Sequence, residues 1–274
     1  IVSPAVTINY NVVGTTNGCS GSATAEVTVA NVLNITVNSP VACLGSPVTL
    51  TAVGGTTYVW DEGTNLNVST AKPFSPSPLV PTTYTVTGTT NGCSGTATST
   101  VTINPVPTTT AGSNSPICAG VSLNLTAVAS VVPGATYSWT GPNGFTSVVQ
   151  NPTIAAATMA AAGPYIVTVL ANGCSSTSTI AVVVNPIPTT TAGTNSPCEG
   201  SPLNLTAANS VSGSTYSWTG PGSFTSSNQN PTISPSTVAD SGPYIVTVLA
   251  SGCSSTSQII ATVKPMPATT AGSN

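Results

Sequence analysis

The chain repeats itself, and a long period leaves few architectures open. Trp60, Trp139 and Trp218 are spaced 79 residues apart, while Cys19, Cys93, Cys174 and Cys253 each follow a tyrosine (Tyr10, Tyr84, Tyr165, Tyr244) by nine residues. The block Pro107 to Pro116 returns between Pro188 and Pro197, and its opening returns from Pro267 to Asn274. These landmarks divide the chain into the C-terminal half of a repeat (1–31), three whole repeats (32–104, 105–185 and 186–264) and the first strand of a following repeat (265–274). The two partial ends cannot complete one another, because the part they lack holds the Trp strand and one Cys. The chain is therefore expected to be a window on a longer repetitive polypeptide.

Composition narrows what each repeat can be. With 24 Pro, 25 Gly and 3% charged residues, short strands and many turns are expected in place of long helices. Two basic residues, five acidic ones and no His leave no cationic footprint for phosphate backbones or anionic membranes, so nucleic acid is excluded as a partner. No stretch approaches the roughly 18 apolar residues of a membrane span, and the opening Ile1-Val2-Ser3-Pro4 lacks the order of a signal peptide. Seven Cys without His or a Cys-x-x-Cys pair favour disulfides over zinc, and disulfides imply an oxidising, extracellular or cell-surface location.

Chemistry is sparse. The carboxylates Glu26, Asp61, Glu62, Glu199 and Asp240 are scattered over different repeats in no recurring constellation, which argues against an enzyme, a cofactor or a metal site. Asp61 and Glu62 read as a solvated strand end, with calcium the lesser reading. Asp240 reads as support for the turn that precedes Tyr244.

A period of two runs through each repeat. Val121, Leu123, Leu125 and Ala127 alternate with Ser122, Asn124 and Thr126, and Leu203, Leu205 and Ala207 repeat the pattern. Tyr137 and Trp139 share a face of the next strand, and Asn143-Gly144 is a turn signal. The run Tyr165 to Leu170 closes on Asn172-Gly173, which predicts a hairpin into Ile180 to Val184. About seven short strands fit each repeat, most economically as a two-layer antiparallel sandwich.

At this point the residues resemble a known pattern. Gly120 to Ala127, then Trp139, then Asp240-Ser241-Gly242-Pro243-Tyr244 in the neighbouring copy resemble immunoglobulin strand B, the strand C Trp and the tyrosine corner before strand F. The resemblance implies an all-β tandem array of immunoglobulin-like antiparallel sandwiches, with Trp60, Trp139, Trp218, Tyr84, Tyr165 and Tyr244 in the cores. The core disulfide is the departure: Ala127 and Val167, and likewise Ala207 and Val246, occupy its places. More narrowly, Asn-Ser-Pro-x-Cys-x-Gly, Tyr-Ser-Trp-Thr-Gly-Pro, Gln-Asn-Pro-Thr-Ile and Asn-Gly-Cys resemble the Ig-like and PKD-like repeats of large secreted surface proteins and adhesins of Bacteroidetes-type bacteria.

The alignment bears on the sulfurs. Pairing within repeats would join Cys43 with Cys93, Cys118 with Cys174 and Cys198 with Cys253. In the immunoglobulin alignment, however, Cys118 lies nine residues before mid-strand Ala127 and Cys174 seven after mid-strand Val167, on strands that run in the same direction. Opposite poles cannot be bridged when Cα atoms must approach within about 7 Å. The alignment therefore implies staples between repeats, Cys43 with Cys174 and Cys118 with Cys253, leaving Cys19, Cys93 and Cys198 unpaired within this window. Pairing within repeats stays open if the strand carrying Cys118 is rerouted.

The Pro-rich junctions Asn104-Pro105-Val106-Pro107 and Asn185-Pro186-Ile187-Pro188 favour extended backbone and semi-rigid spacing. The threonine clusters 108–110 and 189–191 read as edge-strand residues, with O-linked sugars the lesser reading. Expected partners are other copies of the chain or adjoining repeats, with surface glycans as a further class. The expected function is a structural, noncatalytic shaft of an extracellular bacterial fibre or cell-surface adhesin. At about 35 to 40 Å per sandwich, three repeats would span roughly 110 Å. The alternative is a carbohydrate-binding or spacer module of a secreted multidomain hydrolase, with Tyr137 and Trp139 or Tyr216 and Trp218 as its aromatic platform.

Overall fold

The computed structural model describes residues 1–29, 32–62, 65–70, 72–130 and 134–268, with the backbone alone for 65–69. The repeat limit at residue 31 and the end of the expected strand 265–274 lie outside the described residues. The chain forms tandem immunoglobulin-like antiparallel sandwiches. It divides into two compact units, one of Ile1–Pro107 with the hairpin tip Ala171–Ser175, the other of Thr108–Leu170 with the residues from Ser176 onward.

In the second unit the alternation becomes two sandwiches. Strands Thr109–Ser113, Leu123–Ala129 and Thr153–Ile154 form one sheet; Thr146–Ser147, Thr136–Thr140, Gly163–Ala171 and Cys174–Val182 form the other. Leu123, Leu125 and Ala127 of the first sheet meet Trp139, Val167 and Val169 of the second in one buried cluster. The next sandwich copies it, with Leu203–Asn209 between Thr190–Thr194 and Thr232–Ile233, and Thr215–Gly220 between Phe224–Ser226 and Gly242–Ala250. Trp139 faces Val167 and Trp218 faces Val246 in the same register. Both Trp side chains are fully buried.

The sequence motifs now have physical causes. Gln-Asn-Pro-Thr-Ile patches the strand at Ala127, the place a core disulfide would occupy. Asn151 Oδ1 accepts from the Ala127 amide at 3.0 Å, Gln150 Nε2 donates to the Ala127 carbonyl at 2.8 Å, and the Trp139 indole donates to the Gln150 carbonyl at 3.1 Å. Gln229 and Asn230 do the same at Ala207 (2.7 and 3.0 Å). Side-chain amides thereby satisfy backbone groups that would otherwise be left unpaired in a buried setting. In Tyr-Ser-Trp-Thr-Gly-Pro the glycine is required: a Cβ on Gly141 would stand 2.4 Å from the Tyr165 ring, and one on Gly220 would stand 2.4 Å from Tyr244.

The hairpin return differs from the expectation. It begins at Cys174, directly after the turn, and not at Ile180. Serines hid it, because inward-facing positions that read as polar bond the edge strand of the other sheet. Ser178 Oγ accepts from the Ala111 amide at 3.0 Å, and Ser176 shares a hydrogen bond with Thr109. Thr109 therefore sits in a strand with its hydroxyl engaged, as the edge-strand reading requires.

The first unit holds a third core. A five-stranded sheet runs in the order Val41–Cys43, Cys93–Asn104, Thr82–Thr90, Thr57–Glu62, Asn65–Ser69. Leu50, Ala52, Trp60, Tyr84, Val86 and Val101 are buried in its cluster. Ahead of it, Ile8–Thr16 and Cys19–Val27 make a two-stranded antiparallel hairpin in which Val12 and Val13 are 62% and 65% exposed.

Two of the three tyrosines form the expected corner. Tyr165 donates to the Ala161 carbonyl and Tyr244 to the Asp240 carbonyl, both at 2.9 Å. Tyr84 departs from the pattern, since its hydroxyl points to Glu62 Oε1 at 3.4 Å. Burial raises the phenol pKa of all three, and the Glu62 carboxylate raises that of Tyr84 further.

Candidate functional site

The site that recurs is a joint between a sandwich pole and a hairpin tip. Its receiving side is set by the Asn-Ser-Pro-x-Cys segment. Strand Ile117–Cys118 pairs in parallel with Val184–Asn185, so that Cys118 stands beside Asn185 and the Ala119 amide donates to the Asn185 carbonyl at 2.8 Å. The entering side is a two-residue turn with both residues left-handed, Ser251 (φ 48°) and Gly252 (φ 81°), the geometry that matches the twist of a tight hairpin. It presents Cys253 at its base, 1% exposed.

A disulfide joins Cys118 to Cys253 with Cα atoms 5.7 Å apart, within the ordinary range. Beside it, Asn185 Nδ2 donates to the Ser251 carbonyl at 2.9 Å. The first unit repeats every part. Cys43 lies beside Asn104 in a parallel pair, a disulfide joins Cys43 to Cys174 at a Cα separation of 5.6 Å, and Asn104 Nδ2 donates to the Asn172 carbonyl at 2.7 Å. One covalent bond and one amide clamp thus hold each tip.

The structure brings Cys43 to Cys174 and Cys118 to Cys253, and leaves Cys19, Cys93 and Cys198 as free thiols. Trp60, Trp139, Trp218, Tyr84, Tyr165 and Tyr244 lie in the cores. Tyr137 and Tyr216 are half-buried against those cores. Asp240 caps the turn before Tyr244, its carboxylate accepting from the Thr237 amide at 2.7 Å and hydroxyl at 2.9 Å. Among the described residues no group of three or more His, Cys, Asp or Glu is placed to hold a metal ion, and no helix is long and apolar enough to cross a membrane.

Sequence reasoning missed Asn104 and Asn185 as parts of the joint. The signal was present, because each is the residue immediately before a Pro-x-Pro junction. Nothing in the spacing says that such an Asn reaches a hairpin some 66 to 68 residues further on.

Repeated sandwich cores and hairpin joints define a tandem immunoglobulin-like repeat protein, all-β and cross-linked by disulfides. No family model matches the chain, and no curated protein matches it. Among solved structures, the N-terminal eight Ig domains of Down Syndrome Cell Adhesion Molecule are similar over 95% of this chain and 40% of that one, at 13% identity and a TM-score of 0.55. The chain thus spans less than half of that structure's length. An I-band fragment from titin is 11% identical over 85% of this chain and 99% of that one (TM-score 0.49). Three N-terminal domains of the bacteriophage RB49 Highly Immunogenic Outer Capsid protein are 15% identical over 85% and 98% (TM-score 0.44). At these identities the likeness is one of fold.

Proposed function

We propose that the chain is a noncatalytic shaft segment of an extracellular bacterial fibre or cell-surface adhesin. Its modules are the repeats 32–104, 105–185 and 186–264, flanked by parts of two more, and its work is to hold other parts of a larger protein at a distance. The observation that carries this reading is the joint itself, built twice from the same residue types at the same places. A module that served only a ligand pocket would not need its neighbour fastened by a disulfide and a second clamp. Disulfides persist in oxidising surroundings, which supports an extracellular location. The near absence of charge, seven ionisable Asp, Glu, Lys and Arg side chains in 274 residues, removes repulsion between neighbouring shafts and favours lateral association.

The glycan-binding alternative loses its platform, since Trp139 and Trp218 are 0% exposed and cannot stack on a sugar. Electron microscopy of single particles, oxidised and then reduced, tests the proposal. Oxidised particles should show a narrow distribution of end-to-end length that broadens on reduction. Compact particles, or a length distribution indifferent to reductant, would refute it.

A further inference from the structure

The outward face of the five-stranded sheet carries a lattice that takes no part in the joints. Every second residue from Thr83 to Thr89 is threonine, and so is every second residue from Thr96 to Thr102. The register sets these two columns side by side. Thr85 stands opposite Thr98 and Thr87 opposite Thr96, with the pair Thr83 and Thr100 at one end and the pair Thr89 and Ser94 at the other. Tyr84, Val86, Ser99 and Val101, which alternate with them along the strands, are buried, so the hydroxyls share the solvent side. The column from Ser94 to Thr100 is exposed, and Thr85, Thr87 and Thr89 beside it are half-buried.

The array is regular in two directions. Residues two apart fall on the same kind of pair in an antiparallel ladder, so the columns keep a constant separation of about 5 Å, while the step along each strand is about 6.7 Å. The Thr83 and Thr100 hydroxyls share a hydrogen bond at 3.0 Å. Val59 extends the face beside Thr87, and Asp61 borders it opposite Thr85. The matching face of the sandwich at 186–264 is built otherwise. There Ile245 and Leu249 flank Thr247 where Thr85 and Thr89 flank Thr87, and Gln258 stands where Thr98 does.

We propose that this threonine face binds ice, the solid lattice of water. A hydroxyl that binds a dissolved sugar does so in exchange for water, and the net gain per bond is small. Within the two columns there is no aromatic ring, amide or charge to add to that gain. Ice asks for no such exchange, because a hydroxyl that anchors water at a regular repeat extends the crystal instead of displacing part of it. Each threonine also sets a methyl group beside its hydroxyl. Branching at Cβ restricts χ1, so the array is ordered before the crystal meets it and little freedom is lost on contact.

The test is the ice affinity of the full chain. A dilute solution is frozen slowly from one side, and the protein in the ice and in the remaining liquid is measured beside an unrelated protein of similar size. Enrichment in the ice above that reference is expected. Thr96→Lys should lower it roughly tenfold, because a long charged side chain in the lattice lifts the crystal from neighbouring hydroxyls and forfeits one or two net hydrogen bonds. Thr256→Lys makes the same change at the same place on the other sandwich, opposite Thr247, and should leave the enrichment as it was. Circular dichroism melts establish that both variants fold. Enrichment no greater than that of the reference protein, or an equal response to the two lysines, would overturn the proposal. Retention on microcrystalline cellulose without enrichment in ice would overturn it too, and would assign the lattice to a polysaccharide.

Discussion

Opening one joint by the paired change Cys118→Ser and Cys253→Ala gives the most direct measure of what the staples contribute. Ala suits position 253 because that side chain is 1% exposed, and a buried serine hydroxyl without a partner would add its own cost. The bond closes a loop with a sequence separation of 135. On the chain-entropy description, a loop of that size withdraws about 17 cal/mol/K from the unfolded ensemble, or about 5 kcal/mol at 25 °C. The clamp from Asn185 to the Ser251 carbonyl survives the change, and a hydrogen bond of that kind contributes only about 1 kcal/mol. At roughly 2 to 4 °C per kcal/mol for units of this size, the thermal midpoint should fall by roughly 10 to 20 °C. Scanning calorimetry of the whole chain reads this directly. A fall below about 3 °C would refute the reasoning, because it would mean that the unfolded chain gains almost no freedom when the loop is opened.

Other expectations follow from the cores. Tyr244→Phe should lower stability by about 1 kcal/mol in denaturant melts through loss of the 2.9 Å bond to the Asp240 carbonyl, while Tyr84→Phe, whose hydroxyl reaches Glu62 only at 3.4 Å, should lower it less. Gln150→Ala strips the donor from the carbonyl of buried Ala127 and should cost about 1 to 3 kcal/mol by the same measurement. The raised tyrosines set an alkaline limit: the folded state holds its phenol protons above the unfolded value of 10.0, so their contribution is full below that pH and is lost as pH climbs beyond it. NMR signals of Tyr84, Tyr165 and Tyr244, recorded beside circular dichroism, should therefore report their ionisation only together with loss of the fold, above that pH. Ionisation of these three while the fold persists would contradict it.

Much of the fold was open to a reader of the sequence. A repeat with apolar residues at every second position can bury only one face of each strand, and two such sheets must close on each other. Trp139 and Tyr165 announce their places by size, since side chains so large have few sites in a small sandwich. What stayed hidden was polar. Ser176 and Ser178 face inward yet read as outward, because hydroxyls that bond the opposite edge strand look in sequence like hydroxyls that bond water. Nothing in the polar pair Gln150 and Asn151 tells that their amides complete a buried strand.

The local chain settled where the apolar strands and the turns fall, through period-two alternation and Asn-Gly pairs that tolerate left-handed backbone, but not where the serine-rich return strand begins. It left two pairings open for each of Cys43, Cys118, Cys174 and Cys253, because a cysteine carries no record of its partner. Only the tertiary structure decided between them, by bringing a hairpin tip against a sandwich pole within each unit and setting Cα atoms 5.6 and 5.7 Å apart. Contacts between residues more than 130 positions apart depend on how whole modules meet, and no run of neighbouring residues contains that information.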